Sequence, residues 1–237
     1  MVRFCGMSEV QLRQWVEANP ERVNGRDNTY FGLTPLITAV SKMEGLSMVV
    51  WLLDEKSADV NATIANGNTP LHLAKTPDIV AALLDRGADS ALVSKQRRFP
   101  LMHRVRYGNA DVVARLLQDQ RVRATINVQD GGRHTALYHA FTTLDAEEAA
   151  VRKAHLLLQA GADPISTDYE GRTPLDLVRQ HHPNYHAAIA LIERTLAESE
   201  KVVLLVKTRR LAVAAVAPPC FHVVCKAGWN DASLRLA

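Results

Sequence analysis

Aromatic side chains are scarce in this sequence, where Phe, Trp and Tyr together make up 5% of 237 residues. A core built from Ala, Leu and Val fits that composition better than one built around large rings. Cysteine is also scarce: Cys5, Cys220 and Cys225 are the three present, an odd number that argues against a disulfide framework. Because sparse cysteine is typical of a reducing compartment, we expect an intracellular protein, cytoplasmic or alternatively nuclear.

Long apolar runs are missing as well. The longest cover residues 202–206 and 211–217, and Lys207, Arg209 and Arg210 lie between them. A membrane-spanning helix needs about 20 apolar residues, so we expect none, and the first ten residues contain no apolar segment of signal-peptide length. The net charge of +3 is too small to indicate a nucleic-acid partner by itself.

The sequence does contain an internal repeat. The pattern Gly-x-Thr-Pro-Leu occurs at residues 32–36, 67–71 and 171–175, and weaker copies occur at 98–101 and 132–137. Aligned on the Thr position, successive copies are separated by 35, 30, 36 and 38 residues. This spacing brackets a period of about 33 residues, which is typical of a repeat made of paired helices.

A second pattern alternates with the first, namely a Leu-Leu pair followed by Gly-Ala-Asp or a remnant of it. The pairs lie at residues 52–53, 83–84, 116–117 and 157–158, with Leu191-Ile192 as the last remnant. Intact Gly-Ala-Asp follows at residues 87–89 and 161–163. Two independent patterns that alternate over nearly five cycles indicate a repeat protein.

Each unit predicts two short helices. Thr34, Thr69 and Thr173 are suited to cap an inner helix, because a Pro follows each at the first helical position. Gly87 and Gly161 stand where the end of a second helix needs a positive φ. One such helix pair cannot bury its apolar faces alone, so the units are expected to stack into an all-α solenoid.

The hexapeptide Thr-Pro-Leu-His-Leu-Ala at residues 69–74 resembles the best-known motif of the ankyrin-repeat family. The resemblance covers roughly residues 8–198. It implies an all-α ankyrin-repeat solenoid, with stacked helix-turn-helix units and hairpin-like fingers, and about five repeats over residues 25–198.

We expect an ankyrin-repeat domain over residues 1–199, followed by a C-terminal helix and a loosely ordered tail over 200–237. Residues 8–19 are predicted to form a capping helix at the N-terminal end, because Ser8 and Gln11 have the spacing of a capping box. The predicted repeats cover residues 25–61, 62–91, 92–127, 128–165 and 166–198.

Catalytic motifs are not evident, since the sequence contains no Gly-rich phosphate loop, no Gly-x-Ser-x-Gly and no His-Glu-x-x-His. We therefore predict no enzymatic activity, no catalytic residue and no cofactor. The histidines at 181, 182 and 186 are expected in a loop, and the segment 220–225 lacks zinc-knuckle spacing, so no metal site is predicted.

Two histidines replace an expected buried Leu of the hexapeptide. His103 and His139 occupy the position of Leu73 in the intact copy, and we expect stacked repeats to make them neighbours. One interpretation is that both rings bond to nearby backbone or to each other through water. The alternative is a metal-binding or pH-sensing pair.

The resemblance implies that a partner binds on a concave face made of fingers and inner helices. The residues of this chain that match those positions are Tyr30, Phe31, Lys42, Asn66, Gln96, Arg97, Arg98, Arg106, Tyr107, Arg133, Tyr169 and Arg172. Among them Tyr30-Phe31 is an aromatic pair at a finger, which either anchors a partner or packs against the N-terminal helix.

Charge is concentrated in repeat three, where residues 95–123 carry eight Lys or Arg against two Asp. We predict a protein–protein interaction module, an adaptor or scaffold, that uses this patch for an acidic partner. The patch could instead be a solvated surface without a partner. Nucleic acid or anionic lipid is the alternative ligand, although little aromatic interleaving makes nucleic acid a weak candidate. The chain is expected to be a monomer.

The sequence also contains a candidate site for hydroxylation at Asn61. Leu53, Asp59, Val60 and Asn61 have the spacing found in ankyrin repeats whose finger Asn is hydroxylated. Many repeats share this spacing for structural reasons alone.

Overall fold

The computed structural model describes residues 4–28, 31–42, 45–142 and 146–215, without the side chains of residues 5, 42, 200 and 202–215. The chain divides into two units, Met1–Leu196 and Ala197–Ala237. Tyr30, the side chain of Lys42, and the tail with Cys220 and Cys225 lie outside the described residues. The division into domains at residue 199 stays a prediction.

The described residues form helices and no strands. In chain order the helices are α1 (Glu9–Ala18), α2 (Pro35–Lys42), α3 (Leu46–Asp54), α4 (Pro70–Leu73), α5 (Pro77–Asp85), α6 (Pro100–Tyr107), α7 (Ala110–Leu116), α8 (Gln120–Arg123), α9 (Ala136–Ala140), α10 (Glu147–Gln159), α11 (Pro174–His181) and α12 (His186–Ala215). Short 3-10 turns cover Phe4–Gly6 and Pro20–Arg22.

The first unit is a stack of helix pairs. The inner helices α2, α4, α6, α9 and α11 pack each against the next, and the outer helices α3, α5, α7 and α10 do the same. Between the layers lies a core of aliphatic side chains that are at most 1% exposed, including Leu36, Leu71, Leu101, Leu137 and Leu157. The all-α solenoid predicted from the repeat is confirmed for this unit.

Local signals begin and end the helices as predicted. Thr34, Thr69 and Thr173 each accept a hydrogen bond at the start of an inner helix, and a capping box forms at Thr69 and Thr173. Ser8 and Gln11 form the capping box that precedes α1. Gly87 and Gly161, which follow outer helices, have φ of 83° and 94°.

Two elements differ from the sequence-based expectation. The short helix α8 follows α7, because the Asp119 side chain accepts hydrogen bonds from the backbone of Arg121 and Val122. The last helix runs from His186 to Ala215 without a Gly or Pro after its start, and it includes the segment from residue 200 for which a separate helix was predicted. No helix in the described ranges combines the length and the apolarity needed to cross a bilayer.

Candidate partner-binding surface

A row of finger turns connects the repeats on one side of the stack. In each finger the residue two positions before the helix-capping Thr, or its equivalent, has a left-handed backbone, with φ between 57° and 82°. These turn residues are Gly32, Gly67, Arg97, Arg133 and Gly171. Three of the five are glycine, the residue that adopts this conformation without a steric penalty, and two are arginine.

Main-chain hydrogen bonds join the first four fingers. The amide of Ala65 donates to the carbonyl of Phe31 at 2.9 Å, and that of Lys95 donates to the carbonyl of Asn66 at 2.9 Å. The amide of Gly131 donates to the carbonyl of Gln96 at 3.1 Å. The fourth and fifth fingers are linked instead by a side chain, since Gln129 Nε2 donates to the carbonyl of Thr167 at 2.9 Å.

A buried carboxylate organises the fourth finger. One oxygen of Asp130 accepts the backbone amides of Gly132 and His134, at 2.8 and 3.0 Å. The other accepts His139 Nε2 at 2.8 Å and Arg98 Nε at 3.3 Å. Burial alone would raise the pKa of Asp130, but these bonds and the nearby His134 ring hold it far below its usual range.

The candidate metal ligands of this surface are the side chains of Asp130, His134 and His139. Single ligand atoms of Asp130, His134 and His139 lie within 4.8 Å of one another. However, the Arg98 guanidinium bonds to Asp130, and Arg106 Nη1 lies 3.4 Å from His139 Nδ1. A metal ion would have to displace donors that already fill both carboxylate oxygens, so the cluster fits a structural brace better than a metal centre.

The fifth finger uses a related arrangement. Asp168 is buried and accepts the backbone amides of Glu170 and Arg172, at 2.8 and 3.0 Å. It also accepts the Tyr138 hydroxyl at 2.8 Å and Arg172 Nε at 2.9 Å. Desolvation opposes ionisation of Asp168, but these bonds lower its pKa to about 2, whereas burial beside this carboxylate raises the pKa of Tyr138 to about 12.

Buried histidines connect the second and third repeats. His72 Nδ1 lies 3.1 Å from the amide of Thr69, which donates to it, and His72 Nε2 lies 3.0 Å from the carbonyl of Arg98. Because one nitrogen faces a donor and the other an acceptor, the ring is held neutral, and burial lowers its pKa to about 4. Burial and the charge of Arg104 lower the pKa of His103 to about 3.

The two unusual histidines have different neighbours. His103 lies against His72 and Tyr107, and its Nε2 is 3.3 Å from Asn68 Nδ2. His139 lies against His134 and bonds to Asp130. The contacts described for His103 and for His139 are therefore two separate sets, and a functional pairing of the two rings stays a prediction.

The predicted partner-binding residues fall into three groups. Exposed side chains are those of Phe31, Gln96, Arg97, Tyr107, Arg133 and Tyr169. Half-buried side chains with internal hydrogen-bond partners are those of Asn66, Arg98, Arg106 and Arg172. The remaining two, Tyr30 and Lys42, lie where the structure describes no side chain, so the Tyr30-Phe31 pair stays a prediction.

The basic patch of repeat three is smaller than the sequence suggests. Arg104 is 4% exposed, and its Nη1 donates to the carbonyl of Ala74 at 3.0 Å. Burial lowers the pKa of Arg104 to about 10. Arg98 is bonded to Asp130, and Arg121 is paired with Asp119 at 2.8 Å. Counting charges along the chain overstated the surface charge, because Arg104 is turned inward and Asp130, which lies outside residues 95–123, pairs with Arg98.

Two exposed tyrosines each lie against an arginine on this surface. Tyr107 and Tyr169 are 58% and 71% exposed. The Arg106 guanidinium carbon lies 5.5 Å from the centre of the Tyr107 ring, and Arg106 Nε donates to the Tyr107 hydroxyl at 3.0 Å. The Arg133 guanidinium carbon lies 5.7 Å from the centre of the Tyr169 ring. Both rings are therefore held in place by a cation while staying open to solvent.

Asparagines bridge successive repeats away from the finger turns. Asn61 Oδ1 accepts the amide of Asp89 at 2.9 Å, and its Nδ2 donates to the carbonyl of Gly87 at 3.4 Å. Asn127 makes the equivalent bonds to Asp163 and Gly161 at 2.8 and 3.0 Å. This shared bridge supports the structural explanation for the spacing around Asn61.

Comparison with known proteins agrees with this architecture. The family model described as "Ankyrin repeats (3 copies)" matches residues 8–93. A solved crystal structure of an ankyrin repeat protein superimposes with a TM-score of 0.65 and 24% sequence identity, covering 80% of this chain and 92% of that one. Residues 8–93 are thus similar to the ankyrin-repeat family, and the fold is that of an ankyrin-repeat solenoid.

A curated relative is similar to part of this chain. It is an intracellular phospholipase A2 of Caenorhabditis elegans, 25% identical over 146 residues that make up 60% of this chain. The match spans 14% of the length of that relative. The similarity therefore concerns a limited part of a much longer protein, and it transfers no activity to this one.

Proposed function

We propose that this protein is an adaptor or scaffold that binds a protein partner on the fingers and inner helices of repeats three to five. Ankyrin repeats are in general modules for protein–protein interaction, and the fold is typically not enzymatic. The observation that carries the proposal is the pair of exposed tyrosines, Tyr107 and Tyr169, each held by an arginine. Exposed aromatic rings combined with Arg are the side chains that contribute most to interface energies.

Charge favours an acidic partner for this surface. Lys95, Arg97 and Arg133 are exposed there. The acids of the same fingers are already engaged, because Asp130 is buried among its donors and Glu170 is paired with Arg172 at 2.9 Å. The remaining positive charge would attract an acidic partner and disfavour a basic one. We further propose that the protein acts inside the cell and as a monomer.

Nucleic acid or anionic lipid is the second candidate for the same cations. Binding dominated by phosphates would weaken steeply as salt is raised from 50 to 200 mM. We place this candidate second, because one face of Tyr169 is taken up by Arg133 and Arg104 is buried. Fewer cations and fewer free ring faces remain than a nucleic-acid groove uses.

The test begins with co-purification of partners on the tagged full-length chain, followed by mass spectrometry. The affinity of the purified partner is then measured for the Tyr107→Ala and Tyr169→Ala double variant. We expect the affinity to fall about tenfold or more, because two anchors are removed, with no loss of stability since both side chains are exposed.

A Val10→Ala variant provides the matched control, because Val10 is 64% exposed on the N-terminal helix α1. It should bind as the unmodified chain does. Undiminished affinity of the double tyrosine variant would show that the partner binds elsewhere, and the proposed surface would then have to be abandoned.

A further inference from the structure

Two finger turns contain an arginine in a backbone conformation that favours glycine. Arg97 and Arg133 each have φ of 57°, at the position where the other three fingers have Gly32, Gly67 and Gly171. A side chain with a Cβ atom is disfavoured in this conformation. Such strain, when it occurs at matching positions of adjacent fingers, points to a function that the side chains serve.

The fold itself gives no internal reason for these arginines. Within the described residues, the Arg97 side chain makes no hydrogen bond and no ion pair, and neither does the Arg133 side chain, whose guanidinium lies over the Tyr169 ring. Arg98, the next residue, is different, because its guanidinium bonds to Asp130 and is partly buried. The strained positions thus carry exposed cations that no acidic group of the described residues neutralises, whereas Arg98 is paired with Asp130.

The two turns belong to fingers that are fixed to each other. The carbonyl of Gln96, beside Arg97, accepts the amide of Gly131, two residues before Arg133. Asp130 fixes the fourth finger from within through the amides of Gly132 and His134. Both guanidinium groups are therefore presented by ordered backbone, which reduces the entropy lost when a ligand binds.

We propose that Arg97 and Arg133 form a paired anchor for an extended, carboxylate-rich segment of the partner protein. Arginine binds carboxylates through two parallel N–H donors, which a lysine cannot do. Lys95, Gln96 and Tyr169 are exposed around the pair and supply further contacts for the same segment. This inference rests on the proposed function. It adds that Arg97 and Arg133 recognise the partner and that the groups they bind are carboxylates.

An extended peptide fits this arrangement better than nucleic acid or a lipid surface. The fingers form a single hydrogen-bonded row, along which a strand of peptide can place successive carboxylates. Nucleic acid would need many more phosphate contacts than two arginines and one lysine offer. A carboxylate ligand needs only the two forked donors that the turns present.

The test uses the full-length chain and a fluorescein-labelled twelve-residue peptide of alternating Glu and Ser, with fluorescence anisotropy as the readout. A peptide with Gln in place of every Glu is the matched probe. We expect the Glu peptide to bind and the Gln peptide to bind at least about tenfold more weakly, because the guanidinium groups recognise charge.

The deciding variant is the double substitution Arg97→Gly and Arg133→Gly. Glycine restores the residue that the other fingers use, so we expect the melting temperature to hold or to rise by up to about 4 °C. Binding of the Glu peptide should fall at least about tenfold. The variant Lys75→Gln removes one exposed charge from the turn between α4 and α5, away from the fingers, and should bind normally.

Three results would overturn the inference. One is equal binding of the Glu peptide by the double glycine variant. Another is a fall in its melting temperature, which would mean that the arginines serve the fold. The third is tighter binding of an RNA hairpin or of phosphatidylserine vesicles than of the Glu peptide in the same buffer. If the Glu peptide does not bind but the tyrosine variants still lose the purified partner, the anchor is wrong and the proposed function stands.

Discussion

In the second and fourth repeats, the third residue of the inner helix bonds to the next finger, but the acceptor in that finger differs. His72 is the third residue of α4, and its Nε2 bonds to the backbone carbonyl of Arg98. Tyr138 is the third residue of α9, and its hydroxyl donates to the side chain of Asp168. Every residue has a backbone carbonyl, so a substitution at residue 98 keeps that acceptor. A carboxylate is lost when Asp168 is replaced by a residue that is not acidic. The fourth repeat therefore depends on the identity of a residue in its neighbour, and the second does not.

The buried residues of the two repeats differ in the same way. The second repeat keeps the intact hexapeptide, whose titratable side chain is the neutral His72. The fourth places an ionised Asp130 among His139, His134 and Arg98. Removing one partner of a buried charged network leaves the others unpaired, which is more damaging than losing a neutral hydrogen bond.

The largest predicted effect follows from this difference. Asp130→Ala should lower the free energy of unfolding by about 3–5 kcal/mol, because Arg98 and two backbone amides of the finger lose their acceptor inside the protein. Urea unfolding followed by circular dichroism measures the change. The control is Asp111→Ala, which breaks an exposed pair with Arg152 and should cost at most about 1 kcal/mol. If both variants lost the same free energy of unfolding, the buried network of the fourth repeat would not be more sensitive to substitution than an exposed ion pair.

The second prediction concerns pH. The pKa of His72 is about 4 in the folded chain and about 6.5 when unfolded. Because the folded pKa is the lower one, the neutral ring stabilises the fold above pH 6.5, and this contribution is lost as the pH falls toward 4. We expect His72 alone to account for about 2 kcal/mol of lost stability between pH 7 and pH 5.

The variant His72→Gln isolates this effect. Gln can keep the capping box with Thr69 but does not titrate. Urea unfolding at pH 7 and at pH 5 should show that the variant loses about 2 kcal/mol less than the unmodified chain. An equal loss in both proteins would assign the pH dependence to other groups, of which His103 is the first candidate since its pKa is also lowered.

The smallest predicted effect tests what the repeats have in common. Asn61→Ala and Asn127→Ala each remove one bridge between successive repeats, so each should cost about 1–2 kcal/mol. Unequal losses would show that the bridges do not contribute alike. Hydroxylation of Asn61 stays a prediction, and an intact-mass measurement on natively expressed protein without an added oxygen would contradict it.

The sequence predicted the repeat architecture well because its signals are local. A Thr before a Pro, or a Gly after an outer helix, determines where a helix begins or ends through contacts within a few residues. The short helix α8 was missed, although Asp119 gave a capping signal of the same kind.

The site was predicted less well, because side-chain direction depends on distant partners. Arg98 and Asp130 are 32 residues apart, and neither position alone predicts that they bond. Arg104 is buried because its guanidinium reaches Ala74 in the preceding repeat. The two arginines in left-handed turns could have been found by aligning the fingers, since each stands where a Gly occurs in the complete copies of the repeat.

The hydrogen bonds between the first four fingers have a consequence for how this surface can change. They use only peptide groups, as between Phe31 and Ala65 or between Gln96 and Gly131. An exchange of finger side chains therefore leaves these main-chain bonds in place, although the Arg98–Asp130 pair adds a side-chain link between the third and fourth fingers. The fifth finger differs, because the Gln129 side-chain amide makes the link there, and a substitution at that residue would loosen the attachment itself.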